Sequence, residues 1–228
     1  MLIGGRTRLV GLIGNPVGHS LSPAMQNAAF AARGLDWAYL PLLVEDGRVR
    51  DAVRGLAALG FAGANVTAPH KAAAAAAAGA GLESVNVLVV RDGRVEGHST
   101  DAAILDGLAA DRPAIIGSGG SAAAFRAALP QARVFSRRGK WPPDVSDADL
   151  VVNTTSERDV VLCNLSEGQT LIDLPYPETA TGRAAREAGA TVVSGLEVLV
   201  AQGARSFELW TGIPAPVGVM RAAVGLPS

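Results

Sequence analysis

The sequence contains little cysteine, little lysine and no excess of charge of either sign. Its one cysteine, Cys163, excludes an internal disulfide framework and a zinc site built from cysteines, and its apolar neighbours predict a small packed side chain. The 20 basic and 21 acidic side chains give a net charge of −1, which excludes a general attraction to nucleic acid or anionic membranes. A phosphate-bearing ligand would therefore need a local binding site.

Long apolar segments are also missing, although 49% of the residues are apolar. No segment approaches the roughly 20 consecutive apolar residues of a membrane-spanning helix. The first residues, MLIGGRTRLVGLIG, contain glycine and arginine where a secretory signal would have an unbroken apolar segment. We therefore expect a cytoplasmic protein, a monomer or homodimer, with a small-molecule ligand and without a metal, nucleic-acid or membrane partner.

Short apolar segments with strand character alternate with alanine-rich helical segments along the chain. This alternation predicts an α/β protein with parallel sheets covered by helices. Asp92-Gly93, between two strand-like segments, predicts a hairpin turn, and the alanine run after Lys71 predicts a helix that stops at Gly79. Five short strand segments between residues 114 and 195 predict a compact nucleotide domain. The Pro-Pro pair at 142–143 predicts that the helix after its second strand is short or missing.

The segment AIIGSGGSAAAFRAAL runs from a strand through a glycine turn into a helix. Gly117, Gly119 and Ala122 fit the pattern Gly-x-Gly-x-x-(Gly/Ala) of dinucleotide-binding folds. The first glycine would allow the tight turn, the second a close approach of the backbone to a pyrophosphate, and the alanine close helix–strand packing. Chains rich in alanine and glycine also produce this pattern by chance, so the residues further along the chain have to show whether it marks a nucleotide-binding site.

That context lies about twenty residues further on, where an NAD site usually carries an acidic residue at the end of the second strand. Here the chain has Ser136, Arg137, Arg138 and Lys140 instead. An arginine binds a ribose 2′-phosphate through two parallel hydrogen bonds, whereas a carboxylate would repel it. The segment therefore favours NADP, and the alternative is a solvated basic turn.

Uncommon polar residues cluster after the predicted strands of the first half, in GNPVGHSLSP, NVTAPHK, SVNVL and GHSTD. All three histidines, His19, His70 and His98, lie in these segments. The carboxyl ends of parallel strands meet at one edge of a sheet, so these segments are predicted to line one site for a polyhydroxylated ligand. The alternative is that the serines, threonines and asparagines cap helices and build turns, while His19 and His70 bind loop backbone.

Lys71 is one of only two lysines in a chain that has 18 arginines. A lysine in a tuned site can give its proton to a carbonyl oxygen as hydride arrives, and arginine is too weak an acid to do so at neutral pH. Asp101 could orient the ammonium and join the proton exchange. The pair predicts proton-transfer chemistry, and the alternative is a surface salt bridge, which would tolerate arginine.

Taken together and in order, the motifs GNPVGHSLSP, NVTAPHK, SVNVL, HSTD, GSGGSA, SRR, NTTS, DLPY and GLEVLVAQGARSFELWTG resemble the shikimate dehydrogenase family over essentially the whole chain. The resemblance implies an N-terminal α/β substrate-binding domain, a Rossmann-like parallel-sheet NADP-binding domain, and a C-terminal helix that returns to the first domain. We expect residues 1–101 and 206–228 to form the substrate-binding and catalytic domain, and residues 102–205 the NADP-binding domain. The implied reaction is the NADPH-dependent reduction of 3-dehydroshikimate to shikimate, in aromatic amino-acid biosynthesis.

The resemblance also implies roles for individual residues, with Lys71 and Asp101 matching the catalytic pair of the family. The expected substrate-binding residues are Ser20, Ser22, Thr67, Asn86, Tyr176 and Gln202. The expected NADP-binding residues are Gly117, Gly119, Gly120, Ala122, Ser136, Arg137, Arg138, Thr154 and Gly195.

The chain departs from the family pattern in its length and at single positions. The interval from Lys71 to Asn86 is short, and other residues are common at the positions of Gln26, Ser99, Ala102, Glu197 and Val198. Two other functions stay open: a dehydrogenase of quinate, an aminoshikimate or another cyclic polyol acid, and a ligand-binding homologue with weak catalysis. The basic segment after the second strand of the nucleotide domain disfavours NAD and with it the quinate-type reaction. Glu197 and the short interval support the ligand-binding alternative.

Overall fold

The computed structural model describes residues 3–227, and this part of the chain forms two units. The first unit extends to Thr100 and resumes at Val200, and the second comprises Asp101–Leu199. Each unit contains its own five-stranded sheet together with helices, so the predicted α/β fold is confirmed. Among the helices of residues 3–227, none combines the length and the apolar composition needed to cross a membrane.

The first unit is built on a mixed sheet with the strand order β2-β1-β3-β4-β5. Its strands are β1 (Arg8–Gly14), β2 (Trp37–Leu43), β3 (Gly63–Val66), β4 (Val87–Arg91) and β5 (Arg94–His98). The first three strands run parallel, and β4 and β5 form an antiparallel hairpin whose turn is the predicted Asp92-Gly93 pair. Both turn residues have positive φ, 50° and 73°, as a two-residue hairpin turn of this kind requires.

The helices of the first unit include the alanine run and the C-terminal segment. They are α1 (Ser22–Ala32), α2 (Val49–Ala58), α3 (Lys71–Ala78), the part of α6 (Gly195–Thr211) that begins at Val200, and α7 (Val217–Ala223). The alanine run forms α3 and ends before Gly79, as predicted. Helix α7 packs against α1 with Met220 fully buried, so the C-terminal segment returns to the first unit.

The second unit is built on a wholly parallel sheet with the strand order β10-β9-β8-β6-β7. Its strands are β6 (Pro113–Ile116), β7 (Arg133–Phe135), β8 (Leu150–Asn153), β9 (Thr170–Asp173) and β10 (Thr191–Val193), and its helices are α4 (Gly120–Ala128), α5 (Ala180–Glu187) and the start of α6. Strands β6 and β8 are buried at every position, as expected for a parallel sheet that is covered on both faces. The predicted parallel, Rossmann-like sheet is confirmed.

Loops take the place of helices between β7 and β8 and between β8 and β9. The first of these loops contains the Pro-Pro pair at 142–143, which agrees with the predicted loss of a helix there. Val145 from the first loop and Leu162 and Leu165 from the second are buried in the apolar core of the unit. Gln169 donates from Nε2 to the Val145 carbonyl oxygen over 2.8 Å, which holds the first loop in place. Apolar loop residues thus cover part of the sheet in a shortened chain.

Cys163 lies in the same apolar cluster and is 8% exposed. Burial, with a smaller contribution from the charge of Asp173, raises the pKa of its thiol to about 11. The thiol therefore stays protonated at neutral pH and packs as a small apolar side chain.

Candidate functional site

A cavity of about 480 Å³ opens in the second unit, among the segments that directly follow β6, β7 and β8. The carboxyl ends of neighbouring parallel strands share one edge of the sheet, which is where open α/β sheets bind ligands. Its lining residues are Gly117, Ser118, Gly119, Ser136, Arg137, Arg138, Trp141, Thr154, Thr155, Ser156, Glu157 and Leu162. Six of these are predicted NADP-binding residues: Gly117, Gly119, Ser136, Arg137, Arg138 and Thr154.

Gly117 forms the tight turn between β6 and α4. Its φ is 127°, a conformation that favours glycine, and an added Cβ would lie 2.2 Å from Thr154 Oγ1. The same hydroxyl donates a hydrogen bond to the Ile116 carbonyl oxygen over 2.9 Å. A Cβ on Gly119 would meet no atom within 4 Å, so the backbone at the start of α4 is open to a ligand. This geometry fits the pyrophosphate of a dinucleotide, which the helix N-terminus would attract.

Arg137 presents its guanidinium to the cavity with its side chain 68% exposed. Its Nη2 lies 3.2 Å from Glu157 Oε2, and its Cζ lies 5.7 Å from the centre of the Trp141 ring. An ion pair and a cation–π contact thus act on the same guanidinium. The residue type and its place after β7 fit a ribose 2′-phosphate, which arginine binds through paired hydrogen bonds.

The cavity residues Glu157 and Trp141 were missed by the sequence analysis. Glu157 is 20 positions away from Arg137 and follows a different strand, so no local pattern links the two. Its position shortly after β8 was the available signal, because that strand ends at the same edge of the sheet. Trp141 lies in the loop before the Pro-Pro pair, where no regular structure predicts the direction of a side chain.

The other three predicted NADP-binding residues, Gly120, Ala122 and Gly195, lie outside the cavity lining. Gly120 begins α4, and Ala122 is 4% exposed in the apolar cluster around Phe125, which agrees with its predicted packing against the sheet. Gly195 begins α6, where an added Cβ would lie 2.3 Å from the Leu174 carbonyl oxygen. Close packing thus requires a small residue at 195, and its binding role stays a prediction.

Glu197, one of the departures from the family pattern, caps the N-terminus of α6. Its Oε2 accepts hydrogen bonds from the Ser194 N–H over 2.9 Å and from the Ser194 hydroxyl over 3.2 Å. Ser194 Oγ in turn accepts from the Glu197 N–H over 3.4 Å. This reciprocal pair is a capping box, which places a carboxylate at the positive end of the helix. The departure therefore has a local structural reason.

A buried hydrogen-bond network in the first unit is centred on Asn65, at the end of β3. Asn65 Oδ1 accepts a hydrogen bond from the Tyr39 hydroxyl over 2.8 Å. Its Nδ2 donates to the Asn86 carbonyl oxygen over 3.0 Å and to the Ser206 hydroxyl oxygen over 2.9 Å. Each of the four residues is at most 5% exposed, so their polar groups rely on one another instead of on water.

The network continues from Asn86 to Thr100 and Gln202. Asn86 Nδ2 donates to Thr100 Oγ1 over 2.9 Å, and its Oδ1 accepts from the Thr100 N–H over 2.7 Å. The same Nδ2 lies 3.3 Å from Gln202 Oε1, and the Thr100 hydroxyl donates to the Gln202 carbonyl oxygen over 3.1 Å. The structure thus brings together Asn86 and Gln202, two predicted substrate-binding residues that are 116 positions apart.

The remaining predicted residues of the first unit lie where strands end and helices begin. Ser22 is the first residue of α1, and its N–H donates to Ser20 Oγ over 3.2 Å. Thr67 follows β3 directly, and Lys71 is the first residue of α3. All four residues retain their binding or catalytic roles as predictions.

Two of the predicted catalytic and substrate-binding residues belong to the second unit. Asp101 is the first residue of this unit and is 7% exposed, and Tyr176 lies in the loop after β9.

His70 in the first unit is 3% exposed, with Nε2 2.7 Å from the Val44 carbonyl oxygen, so its ring is bonded to loop backbone. In the described part of the chain, no group of three or more His, Cys, Asp or Glu side chains is arranged to hold a metal ion.

Two protein-family models match this chain. Residues 12–85 match the shikimate dehydrogenase substrate binding domain, and residues 195–224 match the shikimate 5′-dehydrogenase C-terminal domain. The first match spans β1 to α3 and includes most of the predicted substrate-binding and catalytic residues of the first unit. The second match covers α6 and α7.

The chain is 39% identical to a shikimate dehydrogenase (NADP(+)) of Anaeromyxobacter sp. (strain Fw109-5), over 275 aligned positions that cover 99% of each chain. It belongs to the shikimate dehydrogenase family. Because the alignment is longer than the 228 residues of this family member, the two chains match from end to end with deletions in the shorter one. The prediction of a shortened member is confirmed.

Solved structures of shikimate dehydrogenases share this fold. The enzyme of Aquifex aeolicus superimposes with a TM-score of 0.88 at 29% identity, over 98% of this chain and 100% of that chain. The enzyme of Thermus thermophilus, solved in complex with NADP(H) and shikimate, superimposes with a TM-score of 0.83 at 27% identity, over 95% and 98%. The fold of this family member is therefore that of the solved shikimate dehydrogenases, although its chain is short.

Proposed function

We propose that this protein is an NADP-dependent shikimate dehydrogenase, which reduces 3-dehydroshikimate to shikimate and catalyses the reverse reaction. The observation that carries the proposal is the 39% identity to a shikimate dehydrogenase (NADP(+)) over 99% of both chains. The Thermus thermophilus relative, which binds NADP(H) and shikimate, supports the same pair of ligands.

The cavity of the second unit is the proposed NADP site, and residues 102–205 are the proposed NADP-binding domain. Gly117 and Gly119 let the backbone approach the pyrophosphate at the start of α4, and Thr154 packs under the turn. Arg137, with Ser136 and Arg138 beside it, would bind the 2′-phosphate by charge and paired hydrogen bonds. The bound cofactor supplies the hydride.

The substrate is assigned to residues 1–101 and 206–228, with a contribution from Gln202. The hydroxyls of Ser20 and Ser22 would bind the substrate carboxylate with Tyr176 nearby, and the substrate ring hydroxyls would meet Thr67, Asn86 and Gln202. Asn86 and Gln202 already hold one another through the network. Less side-chain entropy is lost on binding when the contact groups are held before the ligand arrives.

Lys71 is the proposed proton donor. Hydride addition to the carbonyl carbon of 3-dehydroshikimate leaves negative charge on its oxygen, and the Lys71 ammonium would give that oxygen its proton. Asp101 would orient the ammonium and help to restore its proton after each turnover. This role requires a group that can lose its proton, which explains lysine at 71 in a chain that has 18 arginines and only two lysines.

The proposal is tested by a matrix of two substrates and two cofactors on purified protein. Shikimate and quinate are each assayed with NADP and with NAD, by the absorbance of the reduced nicotinamide, and Lys71→Ala is assayed in parallel. We expect the highest kcat/KM with shikimate and NADP, and a loss of turnover in the variant.

The other outcomes of these assays would each support one of the two alternative functions instead. Faster turnover with quinate would identify a related polyol-acid dehydrogenase. No turnover in any combination by the folded protein, or equally poor turnover by the wild type and Lys71→Ala, would leave a ligand-binding homologue. A cytoplasmic location and a monomeric or homodimeric state stay predictions.

A further inference from the structure

Glu157 lines the cavity that we assign to NADP, although this cavity would hold a ligand with several negative charges. Its Oε2 is 3.2 Å from Arg137 Nη2, and its side chain is 30% exposed. The Glu157 N–H donates to Thr155 Oγ1 over 3.3 Å, which helps to hold Glu157 in the segment shortly after β8. Arg137 is the residue expected to meet the 2′-phosphate, so the carboxylate and the phosphate would bind the same guanidinium.

We propose that Glu157 is a resident counter-ion of Arg137 that lowers the preference of this protein for NADP over NAD. The inference rests on the proposed function, because it concerns the cofactor of the same reaction. A 2′-phosphate has to displace or share the ion pair, and it also meets the repulsion of the carboxylate. NAD carries a neutral hydroxyl at this position, so its binding leaves the Glu157–Arg137 pair intact.

An ion pair that strengthened NADP binding would change the affinity in the opposite direction, so the sign of the measured change tests the inference. A carboxylate that only holds the arginine in its binding conformation would help NADP, since a fixed side chain loses less entropy on binding. Trp141 already packs against the guanidinium of Arg137, at 5.7 Å from Cζ to the ring centre, and can orient it without Glu157. Competition is therefore the effect that we expect to dominate.

The experiment measures binding by calorimetry, so it does not depend on turnover. The probes are 2′,5′-ADP, which carries the 2′-phosphate of NADP, and 5′-AMP, which is the same molecule without that phosphate. Glu157→Gln is expected to tighten 2′,5′-ADP binding about three- to tenfold at low ionic strength, and to change 5′-AMP binding by a smaller factor. The gain should shrink at high salt, because the pair is partly exposed to solvent.

The matched control is Glu178→Gln, which removes one negative charge from another exposed ion pair of the same unit. Glu178 Oε1 lies 2.9 Å from Nη2 of Arg186, which is a residue of α5. Neither Glu178 nor Arg186 lines the cavity. This variant should bind both probes as the wild type does. An equal effect of both substitutions would mean that net charge is responsible, and it would overturn the inference.

A second variant, Arg137→Gln, tests whether Glu157 acts through the arginine. In that background, Glu157→Gln should lose most of its effect on 2′,5′-ADP, and an undiminished effect would contradict the inference. The inference would also be contradicted if Glu157→Gln alone left 2′,5′-ADP binding unchanged or made it weaker, or if the wild type did not bind 2′,5′-ADP.

The inference and the proposed function can fail separately. If the binding pattern holds and shikimate is not oxidised, only the proposed function fails. If NADP-dependent turnover is found and Glu157→Gln changes nothing, only the inference fails.

Discussion

In the first unit, two of the polar side chains that we expect to meet the substrate, the buried Asn86 and the half-buried Gln202, are hydrogen-bonded to one another. Asn86 is 2% exposed and is bonded to Thr100 on both atoms of its amide group. In the second unit, the arginine that we expect to meet the cofactor is 68% exposed and contacts its neighbours through charge and an aromatic ring. One site is thus organised by hydrogen bonds in the interior, and the other by charge at the surface.

The difference matters because the two kinds of contact respond differently to change. Removing one partner of a buried hydrogen bond leaves the other without water or protein to bond, at a cost of about 1–3 kcal/mol in stability. An exposed ion pair contributes roughly 0–1 kcal/mol to stability, so its loss affects folding little, although a ligand that has to displace it binds more weakly. Substitutions in the buried hydrogen-bond network of the first unit should therefore affect folding and turnover together, and substitutions around Arg137 mainly the affinity for the cofactor.

The largest expected effect is that of Lys71→Arg. It keeps the positive charge and removes the transferable proton, so kcat should fall about 10²- to 10⁴-fold, as for the loss of general acid catalysis. Circular dichroism and the KM for NADP should stay close to those of the wild type. A variant with more than about a tenth of the wild-type kcat would contradict the role of Lys71 as proton donor.

The next effect is that of Arg137→Ala on the cofactor. The KM for NADP should rise by about tenfold or more, since a charge-assisted contact to phosphate is lost, and the KM for NAD should rise much less. The urea midpoint of unfolding should change little, because only an exposed ion pair and a cation–π contact at the surface are removed. Equal increases for both cofactors would mean that Arg137 is a solvated turn residue.

Thr100→Val tests the buried side of the comparison. The substitution keeps the shape and removes a hydroxyl that is bonded to Asn86 and Gln202, so the free energy of unfolding should fall by about 1–3 kcal/mol. The adjacent exposed residue provides the control, and Ser99→Ala should change stability by less than about 0.5 kcal/mol. Similar urea midpoints for the two variants would show that the network contributes little.

The smallest expected effect concerns the capping box at the start of α6. Ser194→Ala should lower the free energy of unfolding by about 0.5–1 kcal/mol, because the first turn loses an acceptor and Glu197 loses a partner. Glu197→Gln should cost less, since an amide oxygen can still accept from the Ser194 N–H. If instead Glu197→Gln lowers the KM for NADP, the carboxylate acts on the cofactor as well as on its own helix.

The sequence alone was sufficient wherever the physical cause is local. The glycine turn at Gly117, the hairpin turn at Asp92 and the helix that stops before Gly79 each depend on the backbone preferences of one or two residues. The missing helix after β7 follows from adjacent prolines, and the α/β fold from the alternation of apolar strands and helices. The order of the motifs along the chain was sufficient to recognise the family.

The tertiary structure decided which distant residues meet. Asn65 bonds to Ser206 across 141 positions, and Asn86 to Gln202 across 116, yet no periodicity or turn preference connects the members of either pair. Similarly, Glu157 reaches Arg137 only because β7 and β8 flank β6 in one sheet and end at the same edge. Hydrogen bonds and ion pairs between distant segments depend on strand order and packing, so they leave no pattern in a local stretch of sequence.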